Sequence, residues 1–173
     1  GNNASRCLIV QGPYTNIDKT VNDYTMPKDE VPDRLMVEVH FYDPYQFTMM
    51  NHDETWGKVF LYWGKDNHVS GSIHNATANE EDYVKQQFQK MKKAYADKGI
   101  PVIVGEYSAM KRTKEDKIEG TAEPAYPDID QEMHNKSRAY WNEVVTREAK
   151  NHGCVPFYWE TGGDMNRGTG TAK

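Results

Sequence analysis

Cysteine is scarce. Cys7 and Cys154 are the only two in 173 residues, each opens a strand-like run, and neither sits in a C-x-x-C pair or a Cys/His spacing that suits zinc. Both are expected to be packed thiols. No apolar run approaches the roughly 20 residues that span a bilayer, and the opening "GNNASRCLIV" has no basic stretch followed by a long apolar one. A membrane span and a visible export signal are therefore not expected. An excess of positive charge is missing too: the net charge is -5 and the pI about 5.7, with basic and acidic residues mixed along the chain. That argues against a nucleic-acid partner. No G-x-G-x-x-G or P-loop follows any candidate strand, which removes the nucleotide-binding forms of an open α/β sheet.

What is present is a one-domain length with 37% hydrophobic residues, enough for a core, although a mean hydropathy of -0.90 keeps much of the chain wet. Four short apolar runs bounded by Gly or Pro read as buried parallel strands: "CLIVQGP" from Cys7, "RLMVEVHFY" from Arg34, "PVIVGEY" from Pro101 and "VPFYWE" from Val155. Between them, Val84, Phe88, Met91 and Tyr95 recur at helical spacing over residues 80–98. Thr77 and Glu80 are placed for a capping box there, and Gly99 is placed for a stop. A second helix is expected over residues 131–152, with Asp130 as N-cap, Met133, Tyr140, Trp141, Val144 and Val145 as its stripe, and Gly153 as stop.

"KGIPVIVGEY" and "HGCVPFYWET" repeat one design, a glycine stop, a proline at or near strand entry and a glutamate seven positions after the glycine. Alternating strands and helices at this spacing give an α/β fold, and without a glycine-rich phosphate loop the barrel is favoured over the open sheet. Barrels carry polar groups at the C-terminal ends of their strands and on long loops beyond them. Residues 43–77 and 110–130 are such loops, rich in aromatic side chains.

Glu106 ends the apolar run "VIVG". A buried unpaired carboxylate there would cost several kcal/mol, so it either has a partner or stands at the barrel mouth for work. Gly105 before it permits close approach of another group. His40 and Tyr42, two apart, share one side of their strand. Trp159 offers an aromatic face at the end of the last strand. Tyr45, Phe47, Trp56 and Trp63, with Tyr14 and Tyr62, are candidates for a surface suited to a flat polyhydroxylated ligand. His52, His68 and His74 share a loop with Asp53 and Asp66, but their spacing fits no metal-ligand pattern, so no metal is expected.

Taken together, "LIVQGPYTN", "LMVEVHFYDPYQFT", "YWGKDNH", "IPVIVGEYSA" and "VPFYWE" resemble the C-terminal half of family 5 glycoside hydrolases, the retaining cellulases and their relatives, over residues 6–161. The resemblance implies a (β/α)8 TIM barrel of which these are strands five to eight, with no second domain. It implies Glu106 as the catalytic nucleophile, His40 and Tyr42 as the strand-six pair lining the catalytic subsite, and Trp159 as the aromatic beneath the sugar. It also implies β-1,4-glucan as substrate, secretion or cell-surface display, and no cofactor.

Retaining hydrolysis needs a second carboxyl group about 5 to 5.5 Å from the nucleophile. In the family it comes from an Asn-Glu-Pro motif on strand four, which this sequence lacks. "AEP" at 122–124 matches it only superficially, in a loop. Glu160, at the repeat position of Glu106, is the candidate within the chain. Ser108 stands where the family usually has glycine.

Half a barrel leaves two open sheet edges and an apolar inner face. The expected partner is therefore the missing N-terminal half or a second copy. The alternatives are a mannanase or xyloglucanase of the same family, or a catalytically incomplete half-barrel that binds glucan.

Overall fold

The alternation in "LMVEVHF" decides the layering. Val37, Val39 and Phe41 are fully buried, while Met36, Glu38 and His40 point to the other face and stay partly exposed. The computed structural model describes residues 6–159 and the paired strands Met165–Asn166 and Thr171–Ala172.

Strands β1 (Leu8–Gln11), β2 (Leu35–Phe41), β3 (Val102–Tyr107) and β4 (Cys154–Pro156) form one sheet in that order, every pair parallel. Beyond its three paired residues β4 stays alongside β3, through Phe157 N–H to Val104 O at 2.8 Å and Trp159 N–H to Tyr107 O at 3.1 Å. Parallel neighbours need crossovers. The first carries a six-residue helix, α1 (Ile17–Asn22), capped by Asn16, whose side chain accepts from Lys19 N–H. Sequence reading missed α1 because it is too short to show a periodic stripe.

The second crossover carries the one-turn helix α2 (Tyr45–Thr48) and then α3 (Glu81–Ala94), and the third carries α4 (Gln131–Asn151). Val84, Phe88 and Met91 of α3 and Trp141, Val144, Val145 and Ala149 of α4 pack on Val37, Val39, Phe41, Val102, Val104 and Tyr107, making the main core. Asp130 caps α4 as expected, accepting from Met133 N–H at 3.0 Å, and Gly99 takes the left-handed conformation that ends the α3 segment. The capping box does not form. Helix α3 starts at Glu81, and the Glu80 carboxylate instead accepts from Gly64 N–H and pairs with His68.

Among the described residues, helices cover only one face of the sheet. On the other, Ile9, Phe157 and Trp159 are 51%, 53% and 49% exposed. The two cysteines part company: Cys154 is buried, and burial pushes its thiol up to about 12, but Cys7 is exposed at the start of edge strand β1, correcting its reading as a packed thiol.

The long loops after β2 and β3 pack on each other around a second small core of Met50, Val59, Leu61, Tyr62, Tyr126 and Ile129. Two buried polar residues join them. Arg112 donates to the carbonyls of Phe47, Gln46 and Met50, and its own N–H donates to His134 Nε2 at 3.0 Å. His134 Nδ1–H in turn donates to Leu61 O at 2.7 Å, so the fully buried ring is satisfied as the neutral Nδ1 tautomer.

Burial first, helped by the positive charges of Arg112 and Arg138, pulls His134 down to about 4. Between that value and the ordinary unfolded one near 6.5, the unfolded chain binds the extra proton. This contribution is therefore complete above about pH 6.5 and falls away as the pH drops towards 4, by roughly 3 kcal/mol at most. Urea denaturation at pH 7.5 and 4.5 should show this loss, and His134→Gln should remove that part of the pH dependence. An equal pH dependence in both proteins would refute the assignment.

Candidate active site

A break in the β2–β3 register aims Glu106. Val39 pairs with Val104, but the next partner of His40 is Glu106, leaving Gly105 as an extra residue on β3. In strict alternation after buried Val104, Glu106 would turn towards the helices and Tyr107 towards the open face. The bulge reverses this. Tyr107 goes into the core against Trp141, and Glu106 emerges on the open face beside His40. The apolar run ends in a glutamate because one glycine shifts the pleat beneath it.

Five side chains from three strands then form a line. Tyr42 donates its hydroxyl to Glu106 Oε2 at 3.0 Å, and His40 Nδ1 lies 3.3 Å from the same oxygen. His40 Nε2 lies 3.0 Å from Glu38 Oε1, which also accepts from Gln11 Nε2 at 3.3 Å. Burial first, then the hydrogen bond and negative charge of Glu106, raise Tyr42 well above the usual phenol range, so it stays a donor at neutral pH. Both contacts to Glu106 fall on one oxygen, which fixes the carboxylate plane.

Trp159, alongside Tyr107 at the end of β4, is half exposed at the level of Glu106. Tyr45 and Trp56, 49% and 62% exposed, lie with ring centroids 6.3 Å apart on the loop after β2. Phe47 and Trp63 are different. Both are fully buried and stack on each other inside the loop layer, and Trp63 Nε1–H donates to Asn79 O. Neither offers a face to a ligand, which corrects their reading as substrate-binding residues. Tyr62 is buried as well, its hydroxyl accepting from Asp130 N–H, while Tyr14 is exposed.

Glu160 lies outside the described residues. Among the described residues no group of three or more His, Cys, Asp or Glu could hold a metal ion, and no helix is long and apolar enough to cross a membrane.

Glu38 went unnoticed in the sequence. The available signal was its position two before His40, which puts it on the same face.

The whole architecture has known counterparts. The family model for cellulase, glycosyl hydrolase family 5, matches residues 1–165. A xyloglucan-specific endo-β-1,4-glucanase of Bacteroides ovatus is 34% identical over 166 residues, covering 94% of this chain and 29% of that protein. Endoglucanase A of Paenibacillus barcinonensis is 30% identical over 172 residues, covering 94% and 38%.

Among solved structures, a xyloglucan-specific β-1,4-glucanase of family 5 from a ruminal metagenomic library, in complex with XXLG, superposes with a TM-score of 0.76 at 38% identity. It covers all of this chain and 44% of that one. The Bacteroides ovatus family 5 xyloglucanase with a XXXG heptasaccharide gives 0.79 at 30% identity, covering 100% and 34%. The chain thus spans about a third to just under a half of the length of these relatives, and its four parallel strands make half of a (β/α)8 barrel.

Proposed function

The chain belongs to glycosyl hydrolase family 5, the cellulase family, and from that premise we propose that it supplies the nucleophile half of a retaining enzyme that cleaves β-1,4-linked glucan. The observation that carries this reading is Glu106: a carboxylate turned onto the open face by a bulge and held at Oε2 by Tyr42 and His40. With one oxygen fixed, Oε1 is the attacking atom. It bonds to the anomeric carbon as the glycosidic C–O bond breaks, and the leaving oxygen takes a proton from a second carboxyl group. Water, giving a proton to that same group, then releases the sugar from Glu106. Trp159 supports the sugar ring at the point of cleavage, and Tyr45 and Trp56 extend the aromatic surface along the polymer.

The second carboxyl comes from the other half of the barrel or from Glu160. The exposed apolar face and the edges of β1 and β4 favour a partner half-barrel, either an N-terminal half or a second copy. A polymer too large to cross a membrane places the work outside the cell or at its surface.

A finer reading is favoured by the relatives, two of which are xyloglucan-specific by name and a third a xyloglucanase. It is tested together with the coarser one. This chain, substituted for the matching segment of the Bacteroides ovatus relative, should yield a chimera that releases reducing sugar from xyloglucan faster than from carboxymethylcellulose. A folded chimera inactive on both would overturn the hydrolase reading. Preference for carboxymethylcellulose would overturn the xyloglucan reading alone.

A further inference from the structure

Glu38 has no part in the chemistry described above, yet its carboxylate meets the far side of the ring that meets Glu106. From this geometry we infer that Glu38 is a positioning residue. It accepts from His40 Nε2–H and fixes the ring plane, which sets where Nδ1 stands beside Oε2 of the nucleophile. The inference deepens the hydrolase reading and rests on it for the purpose of the ring.

Three observations converge. Glu38 and His40 lie two apart on β2, so the pleat carries both to the open face, and Oε1 reaches Nε2 at 3.0 Å. Gln11, paired with Glu38 across β1 and β2, donates to the same oxygen and holds the carboxylate from its other side.

The third observation is space. A Cβ built on Gly105 would lie 2.2 Å from Glu38 Oε1, 2.8 Å from Cδ and 3.1 Å from Cγ. Gly105 does not need a left-handed backbone, so what it supplies is room. The same residue that makes the bulge aiming Glu106 vacates the volume through which Glu38 reaches His40.

A freely rotating imidazole at this point would present Nδ1 to Glu106 only part of the time. A carboxylate that orients a ring through its second nitrogen is a recurrent way of fixing its plane. Glu38 is ill placed to be the missing acid/base. It lies one pleat below the strand end, with Oε1 engaged by His40 and Gln11 and the imidazole between it and Glu106.

The test uses this chain labelled with 15N-histidine, with His40→Gln identifying the His40 signals. The wild type should show a low-field Nε2–H resonance protected from exchange with water. Glu38→Ala removes the acceptor, and Gly105→Ala leaves Glu38 in the chain but displaces its carboxylate. Both should speed exchange of that proton by roughly tenfold or more. Glu38→Gln, which keeps the shape and one acceptor oxygen, should retain it.

A resonance unchanged in Glu38→Ala, or lost equally in the Ala and Gln variants, would overturn the assignment. The readout involves no substrate, so it stands or falls separately from the hydrolase reading. In the active chimera, Glu38→Ala should lower kcat by roughly 10- to 100-fold with KM within about twofold. A fall in affinity alone would overturn the positioning role.

Discussion

Glu106→Gln is expected to leave the fold standing and abolish covalent chemistry. The glutamine keeps an acceptor for Tyr42 and the same side-chain volume, so the melting temperature should stay within a few degrees. It cannot attack an anomeric carbon. In the chimera with the Bacteroides ovatus relative the rate should fall by roughly 10⁴-fold or more, the scale seen when a covalent nucleophile is removed. The more direct measurement uses a 2-fluoro glycoside with a dinitrophenolate leaving group. So weak a base departs without a proton, and the step then needs no second carboxyl. Mass spectrometry of the wild-type protein should find one fluorosugar on the peptide containing Glu106 and none in Glu106→Gln. A label on another carboxylate, or equal activity in both proteins, would remove Glu106 from the nucleophile's place. The contacts of Tyr42 and His40 at Oε2 are why the carboxylate should react readily: they fix its plane and leave Oε1 as the attacking oxygen.

The four strands and both long helices were legible because their signals are local. Short apolar runs between Gly and Pro mark parallel strands, and Val84, Phe88 and Met91 at helical spacing mark α3. His40 and Tyr42 could be put on one face from their separation alone, and the structure brings both to Glu106. The bulge was not legible. A single unpaired glycine leaves no periodic trace, yet it decides which way Glu106 points.

Sorting the aromatics failed for a related reason. Tyr45 and Phe47 lie two residues apart on the same short helix, yet Tyr45 is half exposed while Phe47 is sealed against Trp63 and His134. Composition marks a loop as aromatic but says nothing about which ring is covered, because covering depends on how the loop folds on itself and on α4, through Trp63, His134 and Tyr140. The backbone of that turn is held from further away still, by Arg112. In sequence it is one more charged residue in a charged loop.

Replacing Arg112 should be among the most destabilising single changes in the chain. Its guanidinium is fully buried, and burial pulls it below its ordinary range, a desolvation cost that removal would relieve. Against that relief stand three carbonyls, of Phe47 at 2.6 Å, Met50 at 2.7 Å and Gln46 at 3.3 Å, which all point at one planar donor. Arg112→Met fills the volume but leaves the carbonyls of Phe47 and Met50 without this donor, at about 1 to 3 kcal/mol for each fully buried one, while Gln46 O keeps its bond from Phe60 N–H at 3.1 Å. The lost donors should win, giving a net destabilisation of roughly 3 kcal/mol, a large share of the 5 to 15 kcal/mol typical of a domain. Arg112→Lys keeps the charge on a single point that cannot span the fork, so it should recover only part of the loss. Urea denaturation of the three proteins gives the order directly, and a Met variant within about 0.5 kcal/mol of wild type would refute the clamp. The same carbonyls belong to the turn that carries Tyr45. Losing the clamp should therefore loosen the Tyr45–Trp56 pair and lower affinity for glucan oligosaccharides before it alters the labelling of Glu106, which is held separately from β2 and β3.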